Sequence, residues 1–171
     1  GWIVIAKPLA GSHRARTVNT SPVNPLGPDM QVATSGAHTG GAAFAQGAYL
    51  ITSSEVGPSG TFDIMGQRFD SNLNAVDPTP FTIVATAQHE RTPLVATNGS
   101  EFLIAWSTID VDALSGAMHS ARVSSSGALL SQHTLTGLMD ASIAPTGVAW
   151  DGAQWFVGSS AATLTRVSAT G

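Results

Sequence analysis

The 171-residue chain contains no cysteine, which excludes disulfides, thiolate catalysis and cysteine-bound zinc. Charge is scarce as well. Asp, Glu, Lys and Arg together make 11% of the residues, against roughly 25% in an average domain. The balance is acidic, with a net charge of −4, so the basic footprint needed for nucleic acid or an anionic membrane surface is missing. No apolar run approaches the ~20 residues of a membrane-spanning helix, and no stretch repeats its apolar residues with helical periodicity. The amino-terminal segment GWIVIAKPLAG has a few apolar residues, but it lacks a basic flank and a small-residue cleavage site, so it does not read as a signal peptide. No Gly-x-Ser-x-Gly elbow and no nucleotide-binding loop occur.

What is present suits short strands and tight turns. Hydrophobic residues make 43%, mean hydropathy is +0.16, and there are 18 glycines and 9 prolines. That composition predicts a folded core, not a disordered chain. The stretch PLVATNGSEFLIAWS, residues 93–107, has a counterpart upstream in GAAFAQGAYLITSS and downstream in PTGVAWDGAQWFVGSS. Aligned on their turns, Gly47, Gly99 and Gly152 fall 52 and 53 residues apart, a period typical of blades or solenoid turns. Each copy pairs an apolar run with a second run carrying an aromatic residue: Tyr49, Phe102 and Trp155. Asn98-Gly99 and Asp151-Gly152 predict two-residue type I′ hairpins, and Gln46-Gly47 is a weaker version.

A third run centred on an arginine follows each hairpin (Arg68, Arg122, Arg166), with a fourth run in the complete copies. One unit therefore reads as four strands, a-b-c-d. The chain runs b-c-d, a-b-c-d, a-b-c-d, a-b-c, in units of about 1–36, 37–88, 89–141 and 142–171. Runs of 5 to 8 residues rich in Val, Ile, Thr and aromatics read as strands. The expectation is an all-β chain forming one β-propeller of four-stranded antiparallel blades, about three and a half of them here. A sandwich would not need the 52-residue self-similarity, and a parallel β-helix would not carry such hairpins.

The segments GQRFDSNLNAV (residues 66–76), ARVSSSGALL (residues 121–130), TNGSEFLIAWS and WDGAQWFVG resemble the roughly 50-residue repeats of exported bacterial proteins. Those repeats read approximately Asp-Gly-x-x-Tyr-Leu-Val-x-Trp and then Asp-Ile-Tyr-Gly-x-Arg-Phe-Asp. The resemblance covers nearly the whole chain and implies secreted or surface-attached propeller-like domains, placing the protein extracellular, on the cell surface or in the periplasm. The chain departs from the pattern where Ser54 and Ser159 stand in the position of Trp106. A ring of six or seven such units needs on the order of 310 to 365 residues, so another chain, a second copy or further sequence is expected to close it.

By analogy with propellers generally, the d-to-a and b-to-c connections share one face where ligands bind. That frame gathers Lys7, His13, His38, Glu55, His89, Glu90, Arg91, Asp110 and Asp112 on one side. Ligand-binding candidates are therefore His38, Glu55, His89, Glu90, Arg91, Asp110 and Asp112. His89-Glu90-Arg91 offers acid-base groups and a clamp for an anionic sugar or carboxylate, and equally reads as a solvated loop. Asp110 and Asp112, two apart, provide oxygens for Ca²⁺ but lack the rest of a recognised calcium loop. His38 with His89 provides two imidazoles for a transition metal and no third ligand, so no metal site is assigned. Repetition of Arg16, Arg68, Arg122 and Arg166 argues for a structural pairing. Trp2, Trp106, Trp150 and Trp155 read as filling between units, with sugar stacking as the alternative. Asn19-Thr20-Ser21 and Asn98-Gly99-Ser100 match the glycosylation pattern by chance.

Three functional readings follow. The first is a non-catalytic binding or scaffold propeller of an exported or cell-surface bacterial protein, recognising a glycan or protein partner through its loop face. The second is a polysaccharide-acting hydrolase or lyase using His89, Glu90, Asp110 and Asp112. The third is a structural component of a surface assembly.

Overall fold

The computed structural model describes residues 2–6, 13–18, 30–33, 38–137 and 139–169. The described elements are strands, and among the described residues there is no helix. The first sheet contains β1 (Trp2–Ala6), β2 (His13–Val18) and β3 (Met30–Ala33). The second contains β4 (His38–Ala45), β5 (Ala48–Val56), β6 (Phe62–Asp70) and β7 (Phe81–Val84). The third contains β8 (His89–Thr97), β9 (Glu101–Asp110), β10 (Ser115–Ser124) and β11 (Leu129–Thr134), with the two-residue β12 (Met139–Asp140) paired to the start of β10. The fourth contains β13 (Pro145–Trp150), β14 (Trp155–Ser159) and β15 (Leu164–Val167). Apart from β12, strands consecutive in sequence within each sheet are neighbours and pair antiparallel.

The sheets pack face to face in chain order, because the middle strands are apolar on both sides. In β9 every residue from Phe102 to Thr108 is buried, the continuous pattern of a strand covered on two faces. Phe102, Ile104 and Trp106 join Leu50, Ile64, Ile83 and Val84 of the second sheet, while Leu103 and Ala105 join Trp155 and Val157 of the fourth. On the other face of β5, Tyr49 and Ile51 meet Ala15 and Val32 of the first sheet. Each fully buried Leu, Ile or Phe contributes about 1.5–3 kcal/mol, so these three layers hold the stack together. Trp106 and Trp155 fill two of them, and Trp150 lies edge-on against Trp155 at 4.8 Å.

The turns differ from the sequence expectation in an instructive way. Gln46-Gly47, the weakest of the three signals, makes the two-residue turn with both residues at positive φ, 47° and 88°. At Asn98-Gly99 and Asp151-Gly152 only the glycines are left-handed, and the loops span four residues, 98–101 and 151–154. The cause is side-chain capping. Asn98 Oδ1 accepts from the backbone N–H groups of Ser100 and Glu101, and Asp151 Oδ1 from those of Ala153 and Gln154. Such Asx turns use the side chain in place of a backbone carbonyl to close the loop.

The first strand of each complete hairpin carries a bulge at the same place: between Thr39 and Ala42 in β4, Arg91 and Leu94 in β8, and Pro145 and Gly147 in β13. A bulge re-aims the side chains beside it. In β4 it also allows contact between sheets, since a Cβ on Gly40 would lie 2.1 Å from the Pro93 carbonyl oxygen and one on Gly41 3.2 Å from Val95.

Candidate functional site

Just ahead of the bulge in β8, Glu90 is buried and its neighbours His89 and Arg91 are half-buried. These three residues open a strand and do not form a connection, which corrects the expected loop placement; Glu90 pairs with Thr108 and is fully buried. Its backbone carbonyl accepts from Ser54 Oγ at 2.8 Å, tying the third sheet to the second. Its Oε1 accepts a short hydrogen bond from Thr86 Oγ1, whereas Oε2 is buried without a hydrogen-bond partner. Burial pushes the Glu90 carboxyl above the usual carboxylate range, and the charge of Asp63 adds to that rise against the opposing Thr86 hydrogen bond.

Asp63, near the start of β6, is the group that sequence reasoning missed. It is 4% exposed, its Oδ1 has no hydrogen-bond partner, and burial raises its pKa. Its carboxylate presses on the glycine at position 57, where an added Cβ would sit 1.9 Å from Oδ2. Across the β5–β6 ladder Asp63 faces Glu55, whose Oε1 accepts from Ser53 Oγ at 2.7 Å.

The neighbouring cationic candidates turn elsewhere. His89 Nδ1 accepts from the Phe62 backbone N–H at 3.2 Å, and the Arg91 guanidinium lies over the Phe62 ring, 5.0 Å from its centre. Arg91 Nε is buried without a hydrogen-bond partner. Thr92, next along the bulge, is held at φ +52° with its hydroxyl 3.1 Å from Ser107 Oγ. A β-branched residue in that region is strained, and such strain concentrates at functional positions.

Asp110 ends β9, paired with Ser115, and Asp112 follows in the turn to β10. Asp110 Oδ1 accepts from the backbone N–H groups of Asp112 and Ala113 and so closes its own turn, while Asp112 is exposed. Glu55 lies within the end of β5 and His38 opens β4; the side chain of His38, like that of His13, lies outside the described residues, as does Lys7 entirely. Among the described residues no three His, Asp or Glu side chains form a metal-binding group.

Beside these turns a pocket of about 330 Å³ opens between the third and fourth sheets, lined by Met139, Asp140, Ser142, Ile143, Ser160 and Ala161. Asp140 Oδ1 accepts from the Ser142 backbone N–H, and Ser160 Oγ links the two walls by donating to the Ser142 carbonyl and accepting from the Ala144 N–H. None of these residues carries a motif in sequence; they meet only because one connection enters β13 and another leaves β14.

Two of the strand-c arginines, Arg68 and Arg122, form ion pairs. Arg68 forms a forked ion pair with Asp77, with Nη2–Oδ1 at 2.6 Å, and reaches the Ser125 carbonyl in the third sheet. Arg122 pairs with Glu101 at 2.8 Å.

No family model matches the chain, and no curated protein matches it in sequence. Solved structures do share its fold. A sucrose-6-phosphate hydrolase from Lactobacillus gasseri matches with a TM-score of 0.53 at 12% identity, over 91% of this chain and 36% of that one. A puromycin-hydrolyzing peptidase from Mycobacterium tuberculosis gives 0.51 at 12% identity, over 99% and 29%. A puromycin hydrolase gives 0.50 at 18% identity, over 99% and 29%. The chain thus spans about a third of the length of these proteins, and at such identities the likeness concerns the fold.

Proposed function

We propose that the chain is about three and a half blades of a β-propeller, acting as the binding or scaffold part of an exported or cell-surface bacterial protein. It recognises a glycan or protein partner at the end where the d-to-a and b-to-c connections meet, and another chain or a second copy closes the ring. The reading is carried by the pocket of about 330 Å³ at that end, where a carboxylate and two hydroxyls border the apolar side chains of Met139 and Ile143. Mixed polar and apolar walls of this kind suit a small, specific contact. Localisation rests on the repeat resemblance. The propeller assignment is supported by sheets buried on both faces and by the close passage of β4 and β8.

The hydrolase reading is the second. It is favoured by a buried carboxyl that burial pushes above the usual carboxylate range, next to His89 in the strand, and by the activities named for proteins of similar fold. Complete burial of Glu90 keeps it second, since a polymer reaches its carboxyl only if the sheets part.

A glycan array followed by titration calorimetry tests both. Ser142 and Met139 are exposed, so the double variant Met139→Ala, Ser142→Ala is expected to weaken binding at least tenfold with the fold intact. Unchanged affinity removes the pocket from the proposal. Cleavage of a bound glycan that stops in Glu90→Gln would replace the binding reading with the hydrolase.

A further inference from the structure

We propose that a hard, oxygen-seeking cation of the Ca²⁺ type binds between the second and third sheets, held by the carboxylates of Asp63 and Glu90. The two groups come from neighbouring sheets and are 4% and 0% exposed. Each presents a buried oxygen, Asp63 Oδ1 and Glu90 Oε2, with no hydrogen-bond donor. Buried carboxylates without partners are costly, and a native structure satisfies them with a cation, a proton or water.

Among the described residues, the basic side chains nearest in the strands are turned to other partners. Arg91 is turned onto the Phe62 ring, His89 accepts a hydrogen bond at Nδ1, and Glu55 stands across the ladder from Asp63 as a further negative group. Arg68 and Arg122 are committed to Asp77 and Glu101. The Thr86 hydroxyl donates to Glu90 Oε1, which leaves Oε2 as the oxygen free for a cation.

Two carboxylates leave the remaining coordination to carbonyls and water. That predicts the modest affinity of extracellular calcium modules, Kd about 10⁻⁴ to 10⁻³ M. This site is separate from Asp110 and Asp112, where one oxygen is spent on the turn.

The test is thermal unfolding of EGTA-treated protein at about pH 7, with calcium, magnesium or sodium chloride at matched ionic strength. At a hundredfold excess over Kd, calcium should raise Tm by roughly 5–10 °C. The rise should vanish in the near-isosteric double variant Asp63→Asn, Glu90→Gln. Calorimetry on the unaltered protein provides a second reading that does not depend on the variant folding. It should show one calcium per chain, bound more weakly at about pH 5, where protons compete. An equal Tm rise in the double variant, or no calcium heat and no Tm response in the unaltered protein, overturns the proposal. A Tm that rises on acidification with no dependence on calcium would assign the pair a shared proton.

Discussion

The interface between the second and third sheets and the interface between the third and fourth use the same repeat to opposite ends. Both are filled by one buried tryptophan, Trp106 or Trp155, whose indole N–H has no hydrogen-bond partner. At the connection end they diverge. The first closes over Asp63 and Glu90, with Thr52, Ser53 and Ser54 buried nearby, and its first strands touch backbone to backbone at Gly40 and Pro93. The second stays open, leaving the pocket around Ser142 and Ser160. Apolar packing therefore sets the spacing of the stack, and the polar residues at one end decide whether a gap is sealed or offered to a ligand.

The comparison breaks most severely at the tryptophans. Trp106→Ala is expected to cost about 3–5 kcal/mol in urea unfolding, because it empties the centre of a layer. Trp150→Ala, at the rim of the other layer and partly exposed, should cost about half as much or less. Equal losses would mean that the rim carries as much of the packing as the centre.

Glycine substitutions sharpen the contrast in inner-strand spacing. Gly40→Ala forces a methyl group into the Pro93 carbonyl and should destabilise by about 1–3 kcal/mol. At Gly147, on β13, an added Cβ meets nothing within 4 Å, so Gly147→Ala should stay within about 0.5 kcal/mol of the parent. A large loss at Gly147 would show the fourth sheet packed as tightly as the second.

The smallest effect is in the pH profile. The Arg68 hydrogen bonds and charge hold the Asp77 carboxyl below the usual carboxylate range, so its contribution is present above the unfolded pKa and is lost as pH falls through the folded one. Asp63 and Glu90 shift the other way. In the absence of a cation their contribution is full below the ordinary carboxylate pKa and is lost as pH rises through their elevated values. Denaturant midpoints measured from acid to neutral pH should reveal both limbs. Asp77→Asn should flatten the acid limb, and Glu90→Gln should flatten the limb above it. A profile that neither variant alters would refute the assignment of those limbs.

The repeat was legible because strand a-b hairpins must place apolar residues on both faces at a fixed period, and a pairing arginine recurs at Arg68 and Arg122. The candidate site was only half legible. Glu90 stood out as one of few charges, yet it reads as a loop residue, since nothing in QHERT signals the strand pairing with Thr108 in which it is buried. Asp63 belongs to no motif in the sequence. Its importance comes from lying close enough to Glu90, in the next unit, for its charge to raise that carboxyl further, and sequence spacing within one unit carries no information about that proximity.

By itself the sequence determined the all-β class, the strand order and the aromatic filling of the layers, because alternation, turn dipeptides and period are local properties of the chain. Only the tertiary structure decided which polar groups are buried and which line a pocket. Burial is set by the distance between sheets, and that distance depends on groups 27 to 53 residues apart, such as Asp63 with Glu90 and Gly40 with Pro93, a separation that reaches the repeat length itself.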